Sequence, residues 1–295
     1  MDTSQHLQKI IDKVGDLPAM PSTVAEVLRL TQDMSVGMDE VSAVIERDAA
    51  LTAKILRISN SSYYGMRQNV GSLKLALVIL GVREVRNIVL GISVFDTLHD
   101  DNADTLLAAN LKEHSLLVAG LAKKLDSEMR LNFQGEDFIA GLLHDMGKMV
   151  LLNKLGEKYL NIVRVATYSN QDLCDLERDA FGFSHAEAAA ALAAVWSLPA
   201  SLADALRLHH YTPGESLEDA KNPKLAAVVR VANNAAHVAC PGEEGPAPLT
   251  EETQMAIDEA WALLESAPAP LPEDNRDEIV ASFAAEVSAT GLDAF

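Results

Sequence analysis

Five histidines fall between positions 114 and 210: His114, His144, His185, His209 and His210, with Asp145 directly after His144. Neutral imidazoles and carboxylates are ordinary ligands for iron, zinc and manganese. A metal site needs several such groups converging, with further groups to orient them. His114 lies three residues after Leu111 and four before Val118, on the apolar side of an expected helix,. His144 follows Leu142 and Leu143 and precedes Met146, so it points inward as well. A buried imidazole without a partner costs about 1–3 kcal/mol, and several of them could meet that need by sharing a metal. Each residue alone has a plainer reading. A lone inward histidine is commonly a hydrogen-bonded core residue. His185 sits in a first turn after Ser184, where a surface role suits it. His209 and His210 close a helix, where histidine complements the dipole. Spacing alone leaves a metal site and a metal-free core both open.

Helices must carry these residues. Of 295 residues, 48% are hydrophobic and only 5% aromatic, with alanine and leucine dominant. That mix favours helix over strand. No run alternates strictly between apolar and polar, so the expected fold is all-α, a multi-helix bundle. Short amphipathic helices are expected through the first hundred residues: from Ser22 with Val24, Val27, Leu28 and Met34, then around Val41 to Ile45, then Leu51 to Ile58. Asn60-Ser61-Ser62 breaks this pattern. An apolar helix from Ser72 to Leu80 stops at Gly81, and Val85 to Phe95 gives another helical face,. The polar stretch His99 to Asp104 marks a boundary. Beyond it, helices are expected over Asn110–Leu125, Phe138–Leu152, Ser184–Trp196 with a capping box, from Pro199 to His210, and from Pro223 to about Val238,. A linker over 240–248, a helix over Thr250–Leu264 and a second linker over Ala267–Pro272 follow. The expected organisation is therefore a helical subdomain over 1–100, a helical core with the histidines over 101–240, and a helical tail over 241–295.

The formal net charge is −19 and the pI about 4.7. A surface this acidic repels phosphate backbones and anionic membranes, so neither direct nucleic-acid binding nor a membrane partner is expected. Lys74, Arg83 and Arg86 are the one local basic group, and solvated helix-face charges explain them. Cys174 and Cys240 do not make a disulfide framework. The N-terminus, MDTSQHLQKI, is polar, and no stretch approaches 18 unbroken apolar residues,. A cytoplasmic protein is expected.

The string GLLHDMGK, from Gly141 to Lys148, resembles the HD superfamily signature. LPAMP (Leu17 to Pro21), ILRISNSSYYG (Ile55 to Gly65), ALVILGVREVRN (Ala76 to Asn87), FGFSHAE (Phe181 to Glu187) and LRLHH (Leu206 to His210) are similar to the HDOD family, over roughly residues 10–240. The resemblance implies a helical fold in which an N-terminal helical subdomain packs on a core similar to HD phosphohydrolases. It also implies a bacterial protein of signalling settings, mostly without demonstrated enzymatic activity. In HD enzymes a first histidine, a His-Asp doublet and a distant aspartate hold one metal, and cyclic-dinucleotide phosphodiesterases add further histidines and metals. By this resemblance His114 matches the first histidine, His144 and Asp145 the doublet, and His185, His209 and His210 the added ligands. Lys148 matches a lysine that meets substrate phosphate. The distant aspartate falls within Arg230 to Ala236, and here Asn233 stands in its place. Asparagine coordinates more weakly and cannot act as a carboxylate base, and the glycine-tyrosine-proline signature of the phosphodiesterases is not evident. The implied cofactor is one or two divalent ions of iron, manganese or zinc, with Asn233 as a seventh candidate ligand. Two functions follow from the resemblance. One is a non-catalytic regulatory protein with a protein partner. The other is a metal-dependent phosphohydrolase acting on nucleotides or cyclic dinucleotides.

Overall fold

The computed structural model describes residues 9–10, 12–32, 36–60, 69–98, 105–169, 171–212, 214–239, 250–276, 278–279 and 281–282. Among them the regular elements are helices and there is no strand, as the composition predicts. The expectations for Met34, Ser61 to Gly65, His99 to Asp104, Cys240 and the linker over 240–248 lie outside the described residues. The chain divides into two compact units, with boundaries between Ala19 and Met20 and between Thr97 and Leu98.

The unit over residues 20–97 holds α1 (Ser22–Gln32), α2 (Met38–Ile45), α3 (Ala49–Ser59), α4 (Leu73–Leu80) and all but the last residue of α5 (Val82–Leu98). Residues three and four apart turn inward, and Val24, Val27, Val41, Ile45, Leu51, Ile55 and Ile58 are buried,. Each such side chain contributes about 1.5–3 kcal/mol on burial. Asp48 caps α3 by accepting from the Leu51 amide at 2.9 Å, and Ser72 caps α4 by accepting from the Leu75 amide at 3.2 Å,. Lys74 of the basic group donates to Asp39 Oδ1 at 2.7 Å, so it is paired inside its own unit.

The other unit takes residues 98–284 and the segment up to Ala19. It holds α6 (Thr105–Met129), α7 (Glu136–Leu143), α8 (Met146–Leu155), α9 (Glu157–Ser169), α10 (Leu173–Phe181), α11 (His185–Val195), α12 (Ala200–Arg207), a short 3-10 turn (Leu217–Asp219), α13 (Pro223–Ala239) and α14 (Glu251–Leu264). Helix α6 packs on α7 and α13, α13 on α12 and α14, and α11 on α8 and α12. Within this unit the Trp196 indole donates to the Pro18 carbonyl at 2.7 Å, which holds the chain at Pro18. No helix among the described residues is long and apolar enough to cross a membrane.

Small residues let the helices around the histidines approach closely. A Cβ on Gly141 would lie 2.7 Å from Ala119 Cα of α6, and one on Gly147 would lie 1.9 Å from the His185 carbonyl oxygen. Both are below contact distance, so the backbones of α7 and α8 sit where only glycine fits. The expected capping box of α11 is present: Ser184 N donates to Glu187 Oε2 at 2.6 Å and Glu187 N to Ser184 Oγ at 3.4 Å.

The single helix expected over Phe138–Leu152 is two. Helix α7 ends at Leu143, α8 begins at Met146, and Asp145 leaves helical geometry at φ −97°, ψ 6°. Consecutive residues of an unbroken helix point roughly 100° apart. The turn frees His144 and Asp145 from that constraint and brings both to one place. The helix from Pro199 is likewise shorter than expected, ending at Arg207, so His209 and His210 lie just past it.

Candidate metal centre

All histidines among the described residues belong to one cluster: His114 on α6, His144 in the α7–α8 turn, His185 at the start of α11, His209 and His210 after α12, and His237 on α13. Neighbouring rings lie 4.3–5.5 Å apart between centroids. Asp145 is at the centre. Its Oδ1 lies 3.3 Å from His185 Nε2 and 3.4 Å from His209 Nε2, and its Oδ2 lies 3.3 Å from His144 Nε2 and 3.8 Å from His114 Nε2. His185, open to a surface role on sequence alone, is fully buried at 0% exposure.

Three of the rings have their far nitrogen fixed. His144 Nδ1 lies 2.7 Å from the Gly141 carbonyl, and His209 Nδ1 lies 2.6 Å from the Leu206 carbonyl. His185 Nδ1 lies 2.7 Å from Glu177 Oε2. Carbonyl and carboxylate oxygens only accept, so each Nδ1 carries the proton. In the neutral rings, Nε2 then offers a lone pair to the centre. Despite their proximity, the Nε2 atoms of His144, His185, His209 and His210, and Asp145 Oδ1, have no hydrogen-bond partner. Five such buried atoms at about 1–3 kcal/mol each would rival the 5–15 kcal/mol net stability of a whole domain. A cation among them removes that cost, so the donor set fits a metal ion. Two groups sharing Asp145 could each hold one: Asp145, His185, His209 and His210, and His114, His144 and Asp145.

The electrostatics agree with this geometry. Burial alone would raise the Asp145 carboxyl, but His144 and Lys148 hold it well below the usual carboxylate range. Burial drives His209 down to about 3 and His237 to about 4, and pushes His114 and His210 well below the ordinary histidine value. These rings are therefore neutral near pH 7 and available as ligands. His185 goes the other way. Burial opposes its charge, yet the Glu177 carboxylate holds it well above the ordinary value. A proton and a metal ion then compete for its Nε2.

The rim carries the remaining candidates. Lys148 Nζ donates to Asp145 Oδ2 at 2.7 Å with a side chain 12% exposed. Asn233, buried on α13, has its Oδ1 2.9 Å from His114 Nε2. His237, one turn further along α13, stacks on His114 at 4.4 Å. His237 was not expected. The signal was its position four residues after Asn233, on the same helical face. Glu177, Tyr159 and Arg230 were not expected either. Arg230 is buried and holds the chain beyond α12 in place, donating to the Leu208 carbonyl at 2.9 Å and the His210 carbonyl at 3.3 Å. It also donates to the Ala256 carbonyl and Glu259 of α14, at 3.4 and 2.9 Å.

The HDOD domain family matches residues 17–212. A curated relative, an uncharacterized protein of Treponema pallidum (strain Nichols), is 26% identical over 212 residues. That alignment covers 72% of this chain but only 41% of the relative, so the chain spans about two fifths of its length. Among solved structures, an HDOD domain protein of unknown function from Geobacter sulfurreducens aligns with a TM-score of 0.79 and 24% identity, over 99% of this chain and 100% of that one. A candidate signal-transduction protein from Marinobacter aquaeolei VT8 aligns at 0.74 and 21%, over 97% and 64%. A candidate phosphohydrolase from Shewanella amazonensis SB2B aligns at 0.72 and 22%, over 96% and 97%. At these identities the structural likeness shows the fold alone.

Proposed function

The chain belongs to the HDOD family, and from that premise we propose that it is a regulatory module, with a divalent metal centre in its helical core, that acts through a protein partner rather than by turnover. The observation that carries the metal is the set of buried, partnerless atoms around Asp145. His144, Asp145, His185, His209 and His210 would hold the ion, with His114 and Asn233 able to complete a second position. Mixed nitrogen and carboxylate donors suit iron, manganese or zinc. When bound, such an ion would supply fixed positive charge among the ring nitrogens and the Asp145 carboxylate, with the Lys148 ammonium beside them,. The chain's own residues orient the rings, exclude water on the inner side and keep Lys148 at the edge.

Asn233 supports the non-catalytic reading. Where hydrolases of this superfamily carry a carboxylate, this chain has a neutral amide engaged with His114. The formal charge of −19 supports a protein partner over nucleic acid or an anionic membrane,. The names of two structural relatives point in different directions, so the site's own residues must decide. Lys148 favours a second reading, a phosphohydrolase for nucleotides or cyclic dinucleotides, because its ammonium beside the centre could meet a phosphate,.

Elemental analysis of anaerobically purified protein, paired with a turnover assay on cyclic dinucleotides and nucleotides with added manganese or ferrous iron, tests both readings. Near-stoichiometric metal without turnover is expected. Turnover would overturn the regulatory reading in favour of the hydrolase. Metal-free protein, unchanged after reconstitution, would overturn the metal centre.

A further inference from the structure

Glu177 is a carboxylate with no exposure to solvent, on α10 behind His185. A buried carboxylate persists only where donors converge on it. Three do so here. The Tyr159 hydroxyl, also fully buried, donates to Oε1 at 2.9 Å. The His185 backbone amide donates to Oε2 at 2.7 Å, and His185 Nδ1 lies 2.7 Å from the same oxygen. Cys174 Sγ also approaches Nδ1, but at 3.9 Å, too far to compete with the carboxylate,.

This arrangement has one chemical consequence. An ionised carboxylate has only lone pairs to offer, so the proton on this side of the ring belongs to Nδ1. The other nitrogen, Nε2, is then the one turned to Asp145. His144 and His209 reach the same orientation through main-chain carbonyls, which are neutral. His185 alone of the three is backed by a full negative charge. A carboxylate behind a ligating histidine raises the basicity of the ligand nitrogen as well as fixing the ring.

We propose that Glu177, itself held by Tyr159, is the positioning residue that fixes His185 with Nδ1 protonated and aims Nε2 into the metal centre. The inference rests on the metal reading above for its consequence and on hydrogen-bond geometry for its substance. Glu177→Gln is the informative variant, because it keeps the size and an acceptor oxygen while removing the charge. Tyr159→Phe loosens the same carboxylate without touching His185.

The test uses the full chain labelled with nitrogen-15. Correlation spectra of the histidine rings in metal-free protein report which nitrogen is protonated, and zinc(II), as a probe, is titrated by competition with a chelator. In the wild type, His185 is expected to carry its proton on Nδ1, with Nε2 bare or also protonated. Glu177→Gln is expected to weaken zinc binding about 10–100-fold with stoichiometry unchanged, and Tyr159→Phe to weaken it less. The ring signals of His144 and His209 should stay as they are. A wild-type His185 protonated on Nε2 alone would overturn the proposal, as would a folded Glu177→Gln protein with wild-type zinc affinity. If Glu177→Gln does not fold, the wild-type spectrum decides by itself and Tyr159→Phe supplies the affinity comparison. A wild type that binds no metal would sink the metal reading, while the ring protonation would still decide the role of Glu177.

Discussion

The two sides of the histidine cluster are built on different terms. On the inner side, His144, His185 and His209 are at most 1% exposed, and each has Nδ1 committed to an acceptor. On the rim, His114, His237 and Lys148 are less deeply buried and lean on one another or on Asn233 and Asp145. The inner side is pre-organised, because its ring orientations are set by backbone carbonyls and a buried carboxylate. The rim is set by side chains that a ligand or partner could rearrange. Affinity for an ion should therefore depend steeply on the inner residues, and access to it on the outer ones.

Removing the shared centre breaks the comparison most severely. Asp145→Ala or His144→Ala should lower metal affinity by at least about 100-fold, seen as loss of metal on elemental analysis. Unchanged metal content would mean the ion is held elsewhere. Gly147→Ala alters no candidate ligand, yet its methyl group would press on the His185 carbonyl. Overpacking of this kind costs about 1–3 kcal/mol, to be read from urea unfolding. A variant as stable as the wild type would show that α8 and α11 can separate freely.

Asp137 offers a check on α7, the helix that anchors His144 through Gly141. Burial, reinforced by Asp126, pushes its carboxyl up to about 6. A raised carboxyl means that the unfolded chain ionises first as pH rises. Stability from this group therefore falls between about pH 4 and 6, and the penalty is complete above that. Asp137→Asn should then stabilise the protein by about 1–2 kcal/mol above pH 6 and change little below pH 4. Equal gains at pH 3.5 and 7.5 would contradict this origin. The smallest expected effect is at the rim. Asn233→Asp should tighten metal binding by about tenfold or less, or raise a trace of hydrolase activity, since it puts a carboxylate where the amide oxygen now lies 2.9 Å from His114 Nε2,. No change in either quantity, in a folded variant, would mean that position 233 does not face the ion.

Much of this was legible in the chain itself. Apolar residues at spacings of three and four located α1 to α6, and Ser184 with Glu187 announced the start of α11. The inward histidines were readable because Leu111 and Val118 bracket His114 and leucines precede His144. Other features were hidden by the reach of the contacts. Gly141 and His144 are only weak helix-end signals between Phe138 and Met146, and the apolar pattern runs on through the break at Asp145,. Glu177 lies in DLERDAF, where one more acidic residue reads as solvated, and only packing against Tyr159 and His185 reveals otherwise. Arg230 and Glu259 are 29 residues apart, beyond the span over which local patterns speak.

The Arg230 contacts bear on where this domain ends. The family match stops at Thr212, just past His209 and His210, whereas Arg230 and the α14 groups it meets lie downstream. A fragment cut at the end of the match would keep every ring of the inner side and lose the guanidinium that gathers the Leu208 and His210 carbonyls. The segment that the family match covers is thus shorter than the segment whose contacts hold this part of the core. In this chain the backbone that carries the two adjacent histidines is held from outside the borders of the family match.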